Sequence, residues 1–360
     1  MQITENRKKT NEVFIRGIGI GSSNRITVQS MTNTKTADVA ATIAQIKKLE
    51  EVGCDIVRLA IPDMAAASAI AQIRKLTEMP LVADIHFDHR LAIACIENGI
   101  DKVRINPGNI GDREGVRKVA IAAREWGIPI RIGVNSGSLD KNIFQKYNGV
   151  TADGLVESAM LQADMLRQFD FEDIVISIKA TDIFLTVEAC TLLSQKTMYP
   201  QHIGMTESGT PITGTVKSAI GISRLLQDGV GDTVRVSLTG DPVTEVIAAK
   251  EILSTLGISK GGIELISCPT CGRCNIDIIQ TAQEIEQHIR KIKTTKRFKV
   301  AVMGCAVNGP GEAREADVGI AGGIGKALFF RKGEPQYSVP EDKVVSTLLQ
   351  EIENLIQNEE

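Results

Sequence analysis

The sequence predicts a (β/α)₈ TIM barrel followed by a smaller α/β domain. Three observations lead there. β-Branched runs alternate with amphipathic stretches eight times between about residue 25 and residue 257, a glycine-containing connector STLGISKGG follows, and four of the seven cysteines crowd into two short segments beyond it. Strict strand–helix alternation implies parallel strands joined by right-handed crossovers, and eight units in ~230 residues is the size of a closed barrel. An open doubly wound sheet would carry a glycine-rich phosphate turn after its first strand, and the turn here is SMTNTKT, without glycine.

Taken in order, the strands are expected at 25–30, 56–61, 81–86, 102–107, 129–135, 173–179, 200–207 and 232–238. Between them lie patterns such as ADVAATIAQIKKLEEVG and REGVRKVAIAAREWG, with apolar residues at helical spacing and a glycine near the C-terminal end. The connector near 257 divides a barrel domain, 1–257, from a second domain, 258–360. The second domain is expected to contain strands at 263–266, 299–303, 317–321 and 326–331, with helices at 276–292 and 341–357.

Composition excludes several classes of function. Hydrophobic residues make up 43% and charged residues 24% of 360, the balance of an ordinary globular protein. A net charge of -3 supplies no basic field for nucleic acid. No stretch approaches the ~20 apolar residues that span a bilayer, and MQITENRKKTNEVF lacks an apolar signal region, so a cytoplasmic protein without membrane contact is expected. Cys54, Cys95 and Cys190 stand alone in apolar segments and read as core.

In a TIM barrel the active site lies at the C-terminal ends of the strands. Those ends are polar here: Gln29 and Ser30; Arg58; Asp84 and His86; Arg104 and Asn106; Arg131, Asn135 and Ser136; Ser177 and Lys179; Glu207; Arg235 and Ser237. Five of the eight strands bring a cation, against Asp84 and Glu207 as acids. A multiply charged anion would resolve that excess, and arginine forks with Asn and Ser groups suit phosphate or diphosphate oxygens.

The cysteines point to metal. SCPTCGRCN carries Cys268, Cys271 and Cys274, and GCAVNGPGE carries Cys305. A CxxC puts two thiols on one turn, and a thiol returning from far along the chain closes a site. Zinc and iron–sulfur clusters both use such spacing. Pro269 and the run Asn308, Gly309, Pro310, Gly311 favour a cluster, because a Gly/Pro loop can aim backbone N–H groups at cluster sulfurs.

VQSMTNT, ADIHFD, VRINPGNIG, RIGVNSGSL, HIGMTESG, SCPTCGR and GCAVNGPGEA together resemble the bacterial (E)-4-hydroxy-3-methylbut-2-enyl diphosphate synthases of the methylerythritol phosphate route to isoprenoids, over nearly the whole chain. The resemblance implies a C-terminal domain similar to the iron–sulfur part of sulfite and nitrite reductases, holding a [4Fe-4S] cluster. It also implies two-electron reductive ring opening and dehydration of 2-C-methyl-D-erythritol 2,4-cyclodiphosphate, with flavodoxin or ferredoxin as electron donor. The cluster ligands it implies are Cys268, Cys271, Cys305 and the carboxylate of Glu312, which leaves Cys274 as an additional thiol. Arg58, Arg104, Arg131, Asn135, Ser136, Lys179, Arg235 and Ser237 become diphosphate binders with Asp84 and His86 nearby, and Glu207 an acid–base residue. A homodimer is implied, the cluster domain of one chain closing the barrel mouth of the other. Two rival readings are a Schiff-base lyase using Lys179 and a zinc-stabilised phosphate-binding protein. Neither accounts for the loop GCAVNGPGE.

Overall fold

The computed structural model describes residues 6–359 except 22, 111, 260, 293, 306–310 and 312. The chain divides into two units, Met1–Leu256 and Gly257–Glu360. The first opens with an antiparallel hairpin of β1 (Val13–Ile15) and β2 (Ile18–Ile20). Its turn residues Arg16 and Gly17 both take positive φ, 44° and 79°, matching the turn to the twist of the strands. Ile15 and Ile20 pack against Ile56 and Val82, near the starts of two barrel strands, so the hairpin plugs the N-terminal end of the barrel. Three-residue strands carry too short an alternation to be read from sequence, and this hairpin was not expected.

The eight expected barrel strands are present and parallel: β3 (Thr27–Met31), β4 (Ile56–Ile61), β5 (Leu81–Ile85), β6 (Lys102–Ile105), β7 (Ile130–Asn135), β8 (Ile174–Lys179), β9 (His202–Ile203) and β10 (Thr233–Val234). They run in the order β8-β7-β6-β5-β4-β3-β10-β9, and a bridge from Ile176 to Gln201 brings β8 back to the foot of β9. The helices are α1 (Val39–Glu51), α2 (Met64–Leu76), α3 (His89–Glu97), α4 (Arg113–Glu125), the short α5 (Lys141–Lys146), α6 (Ala152–Arg167), α7 (Ile183–Lys196), α8 (Pro211–Gln227) and α9 (Pro242–Thr255). Asp38, Asp63, Asp88, Asp112, Asp182 and Asp241 each accept a first-turn amide as an N-cap. These loop acids are thereby turned into their own helices.

The strands expected at 200–207 and 232–238 shrink to two residues each. The cause is local. Gly204 sits at φ 156° so close to the Arg235 carbonyl that a side chain there would collide with it. Past the bond from the Arg235 amide to the Ile203 carbonyl (3.1 Å), both chains leave the ladder and supply the mouth with loops.

The second unit is a five-stranded mixed sheet, β11 (Gly262–Ser267), β12 (Arg297–Met303), β13 (Val318–Gly323), β14 (Lys326–Arg331) and β15 (Glu334–Pro340), hydrogen-bonded in that order. β11, β12 and β13 are parallel, and β14 and β15 are antiparallel additions. Phe298, Val300 and Val302 alternate onto one face, where α10 (Ile278–Ile289) and α11 (Val344–Glu359) supply Ile285, Leu348 and Ile352. Ala301 and Met303 face Ala316 and Phe330 on the other. β15 was not expected from the sequence: it is an edge strand, bounded by proline and mostly exposed, where no burial pattern marks a strand.

Barrel interiors are ordinarily filled with branched aliphatic residues. Here the inward positions carry charge. Registers place Arg58, Val82 and Lys102 at one level and Ala60, Asp84, Arg104 and Arg131 at the next. Lys102 is 0% exposed and its amine lacks a hydrogen-bond partner among the described residues. Burial, reinforced by Arg131, pushes that amine well below the usual lysine range. The unfolded chain therefore binds a proton that the folded chain releases, and this group's contribution to stability rises with pH toward the ordinary lysine pKa. Lys102→Met, which keeps the volume and removes the amine, should raise Tm by about 2–4 °C at pH 7. Differential scanning calorimetry should find that gain shrinking as the pH approaches about 10. A Tm loss at pH 7 would mean that the amine is satisfied and stabilising.

Candidate active site

Asp84 is the centre of the barrel mouth. β5 delivers it inward, 8% exposed, and its Oδ1 accepts from Arg104 Nη1 at 3.1 Å. Arg58 Nε stands 3.8 Å from Oδ2 and His86 Nε2 3.7 Å from it. Burial alone would raise this carboxyl, but Arg58, Arg104 and Arg131 outweigh it and hold Asp84 far below the usual carboxylate range. Arg104 also meets His86 Nε2 at 3.0 Å. Its guanidinium lies across β7 where a Cβ on Gly133 would come within 2.5 Å of Nη2, so only glycine leaves it room.

The other cations converge on the same space. Arg131 is 1% exposed, with Nε and Nη1 lacking a partner among the described residues. Burial, with repulsion from Arg58 and Arg104, pushes its guanidinium well below its ordinary value. Burial takes Arg58 down to about 10, which leaves it charged at neutral pH. Lys179, at the end of β8, is 8% exposed and pushed well down by burial and by Arg235, Arg58, Arg131 and Arg104. Asn135, in register with Lys179, and Ser136 stand half-buried at the rim, as does Ser237 on the segment after β10.

Not every expected residue lies within this group. Glu207 was expected as an acidic partner of the cations. It is instead exposed on the rim at φ 51°, and its carboxylate accepts from the Thr181 hydroxyl at 3.0 Å. Ser177 and Asn106 serve the backbone, Ser177 donating to the Ile132 carbonyl (3.1 Å) and Asn106 accepting from the Gly108 amide (3.0 Å). The second buried acid at the mouth, among the described residues, is Glu245, which no sequence signal singles out. It occupies the first turn of α9, after an Asp cap and Pro242, where an acid reads as ordinary helix-start chemistry. Five cations thus face two buried carboxylates, and the positive excess persists with a different acid.

In the second unit the cysteines collect at one end of the sheet. β11 and β12 pair in parallel with Ser267 opposite Val302, so Cys268 and Cys305 leave neighbouring strands in the same direction. The Gly304 amide donates to Cys268 Sγ at 3.2 Å, and the Cys274 thiol lies where a Cβ on Gly304 would be 2.5 Å from it. Cys271 is exposed, and its carbonyl accepts from the Cys274 amide (3.1 Å). All four thiols are free. Among the described residues no three His, Cys, Asp or Glu side chains already stand at metal-binding distance. Asn308, Gly309, Pro310 and Glu312, called on for the closing loop and the fourth ligand, lie outside the described residues.

Two family models match the chain in succession, the GcpE TIM-barrel domain over residues 10–250 and the GcpE protein C-terminal domain over residues 264–354. A protein of Ruminiclostridium cellulolyticum named 4-hydroxy-3-methylbut-2-en-1-yl diphosphate synthase (flavodoxin) is 56% identical over 97% of this chain and 98% of its own. One of the same name from Clostridium perfringens is 56% identical over 97% of this chain and 100% of its own. Among solved structures, a type I 3-dehydroquinate dehydratase from Clostridium difficile aligns at TM-score 0.51 and 12% identity, over 69% of this chain and 97% of its own. A dihydropteroate synthase from Stenotrophomonas maltophilia aligns at 0.50 and 14%, over 68% and 98%. At such identities the two structures share only the barrel fold. With both halves matched in order and relatives more than half identical from end to end, the chain belongs to the GcpE family.

Proposed function

We infer that this chain is a 4-hydroxy-3-methylbut-2-en-1-yl diphosphate synthase, carrying out the two-electron reductive ring opening and dehydration of 2-C-methyl-D-erythritol 2,4-cyclodiphosphate. The observation that carries the reading is the barrel mouth, where among the described residues five cations, Arg104, Arg131 and Lys179 buried and Arg58 and Arg235 partly so, face the two buried carboxylates of Asp84 and Glu245. A cyclic diphosphate carries the multiple negative charge that would offset this excess. Arg58, Arg104 and Arg131 would bind its phosphoryl oxygens from β4, β6 and β7, with Asn135, Ser136 and Ser237 donating from the rim. Asp84 keeps Arg104 aimed, so the donors are set before the ligand arrives. Glu207, on the rim, is the proposed proton donor to the departing hydroxyl.

The thiols suit an iron–sulfur group, being soft donors at one sheet end with a backbone amide already directed at a sulfur. Cys268, Cys271 and Cys305 would hold a [4Fe-4S] cluster, with Glu312 as the fourth ligand and Cys274 packed against Gly304. When bound, the cluster supplies electrons one at a time, with flavodoxin, the donor in the relatives' names, or ferredoxin as their source. No helix among the described residues is long and apolar enough to cross a membrane, and a cytoplasmic location is proposed. Anaerobically purified protein should contain about four irons per chain, with absorption near ~400 nm that bleaches on reduction. It should turn over the cyclic diphosphate with reduced flavodoxin, and Arg131→Met should lower kcat/KM at least ~100-fold. Zinc in place of iron, in protein never exposed to air, would overturn the reading.

Lys179 gives a second test. An entering dianion offsets the neighbouring arginines and raises the lysine's proton affinity, so binding should take up about one proton at pH 8. Calorimetric titration with the cyclic diphosphate, in buffers of different ionisation enthalpy, reads this number directly. Lys179→Met should abolish the uptake.

A homodimer is also proposed, and α8 supports it. Ile212, Val216 and Ile220, 83%, 55% and 51% exposed, recur every fourth residue along one face of that helix, and Phe184 at the start of neighbouring α7 is 78% exposed. A second copy is the occupant that such a stripe favours. Val216→Lys with Ile220→Glu should shift the mass measured by light scattering at micromolar concentration from dimer to monomer. An unchanged dimer would move the interface elsewhere.

A further inference from the structure

Glu245 is the mouth's second buried carboxylate, and the reading above gives it no task. It is 4% exposed, and its two oxygens join β3 to the segment after β10. Oε2 accepts from Arg235 Nε at 3.2 Å and from the Ser30 hydroxyl on β3 at 2.9 Å. Oε1 accepts from Arg235 Nη2 at 3.2 Å and from the Leu238 backbone amide at 3.0 Å.

This geometry constrains Arg235 closely. A guanidinium presents two N–H edges and a tip, and the Nε/Nη2 edge is taken by the two carboxylate oxygens in a fork-to-fork pair. Only Nη1 and the outer Nη2 hydrogen remain for a ligand. The strand that carries Arg235 cannot orient it alone, since β10 ends at Val234 and the chain leaves the ladder one residue later. The bond to the Leu238 amide takes the place of the missing ladder bonds and fixes the loop that includes Ser237. Ser30 anchors the carboxylate to the neighbouring strand. α9 places Glu245 within its first turn, where the helix N-terminus favours a carboxylate.

We propose that Glu245 is a positioning residue that clamps Arg235, through its Nε/Nη2 edge, and the loop after β10 in the conformation that receives the substrate's diphosphate, with Ser30 as its anchor. The proposal rests on the diphosphate reading of the mouth. Glu245→Gln is nearly isosteric, and its amide N–H₂ would face a guanidinium that can only donate, so one arm of the clamp is lost while the helix start remains.

The test is a double-mutant cycle on the full chain carrying its cluster, with Arg235→Met, Glu245→Gln and the pair. It reads Kd for inorganic diphosphate by calorimetry, and kcat and KM for the cyclic diphosphate. Glu245→Gln should weaken diphosphate binding about tenfold and raise KM in step, with kcat within about twofold of the parent. The double variant should bind no more weakly than Arg235→Met alone, because a residue acting through Arg235 has no further effect once that side chain is gone. Ser30→Ala, which leaves both charged partners in place, should produce a smaller loss in the same direction. Additive losses, or a Glu245→Gln variant that binds diphosphate like the parent, would overturn the positioning role. Failure of the parent and of Arg235→Met to differ in diphosphate binding would instead overturn the reading of the mouth, and the proposal with it. Should Glu245→Gln unfold, Ser30→Ala decides alone: unchanged Kd and KM would count against the clamp.

Discussion

The barrel is organised by one electrostatic constraint: cations held inside a low-dielectric interior with too few carboxylates to match them. Five converge at the mouth on Asp84 and Glu245, and Lys102 lies below them on the same face of β6. Like charges at such depth destabilise a folded chain unless something offsets them. Three features do so in part. Asp84 is shared by Arg58 and Arg104, burial makes the Lys102 and Lys179 amines easier to deprotonate, and a ligand's negative charge supplies what remains. The mouth is therefore least comfortable when empty, which makes binding favourable there and keeps the donors preorganised.

That arrangement reaches into backbone choices that look unrelated to charge. Gly133 is small because Arg104 crosses it, and Gly204 is small because the Arg235 carbonyl lies against it. β9 and β10 end early, so the last two loops are tied by one backbone bond, from the Thr239 amide to the Gly209 carbonyl (2.9 Å), and by side chains, Glu245 foremost. The aspartates that cap the helices add negative charge around the rim without neutralising the mouth, since each is spent on its own helix amides.

The second unit applies a different rule. Parallel strands must end at the same edge of a sheet, so two segments more than thirty residues apart deliver Cys268 and Cys305 side by side. Gly304 then serves both neighbours, its amide on the Cys268 sulfur and its bare Cα beneath the Cys274 thiol. Cys274 is thereby part of the packing against Ile278 as well as a member of the cysteine group.

By itself the sequence determined what repeats and what is chemically rare. The eight strand–helix alternations, the cations at strand ends and the clustered cysteines could all be read from it, because periodicity and residue type are local properties. Elements without such a signature could not. The three-residue hairpin strands are too short for an alternation to show, the edge strand β15 is mostly exposed, and the early ends of β9 and β10 follow from a carbonyl thirty residues away. Which acid stands among the cations was likewise decided only in three dimensions. Glu207 and Glu245 both follow late barrel strands, and one turns to the rim while the other is drawn inward by Arg235, Ser30 and the Leu238 amide. A side chain's partners are set by where distant segments meet, and neither periodicity nor residue type encodes that.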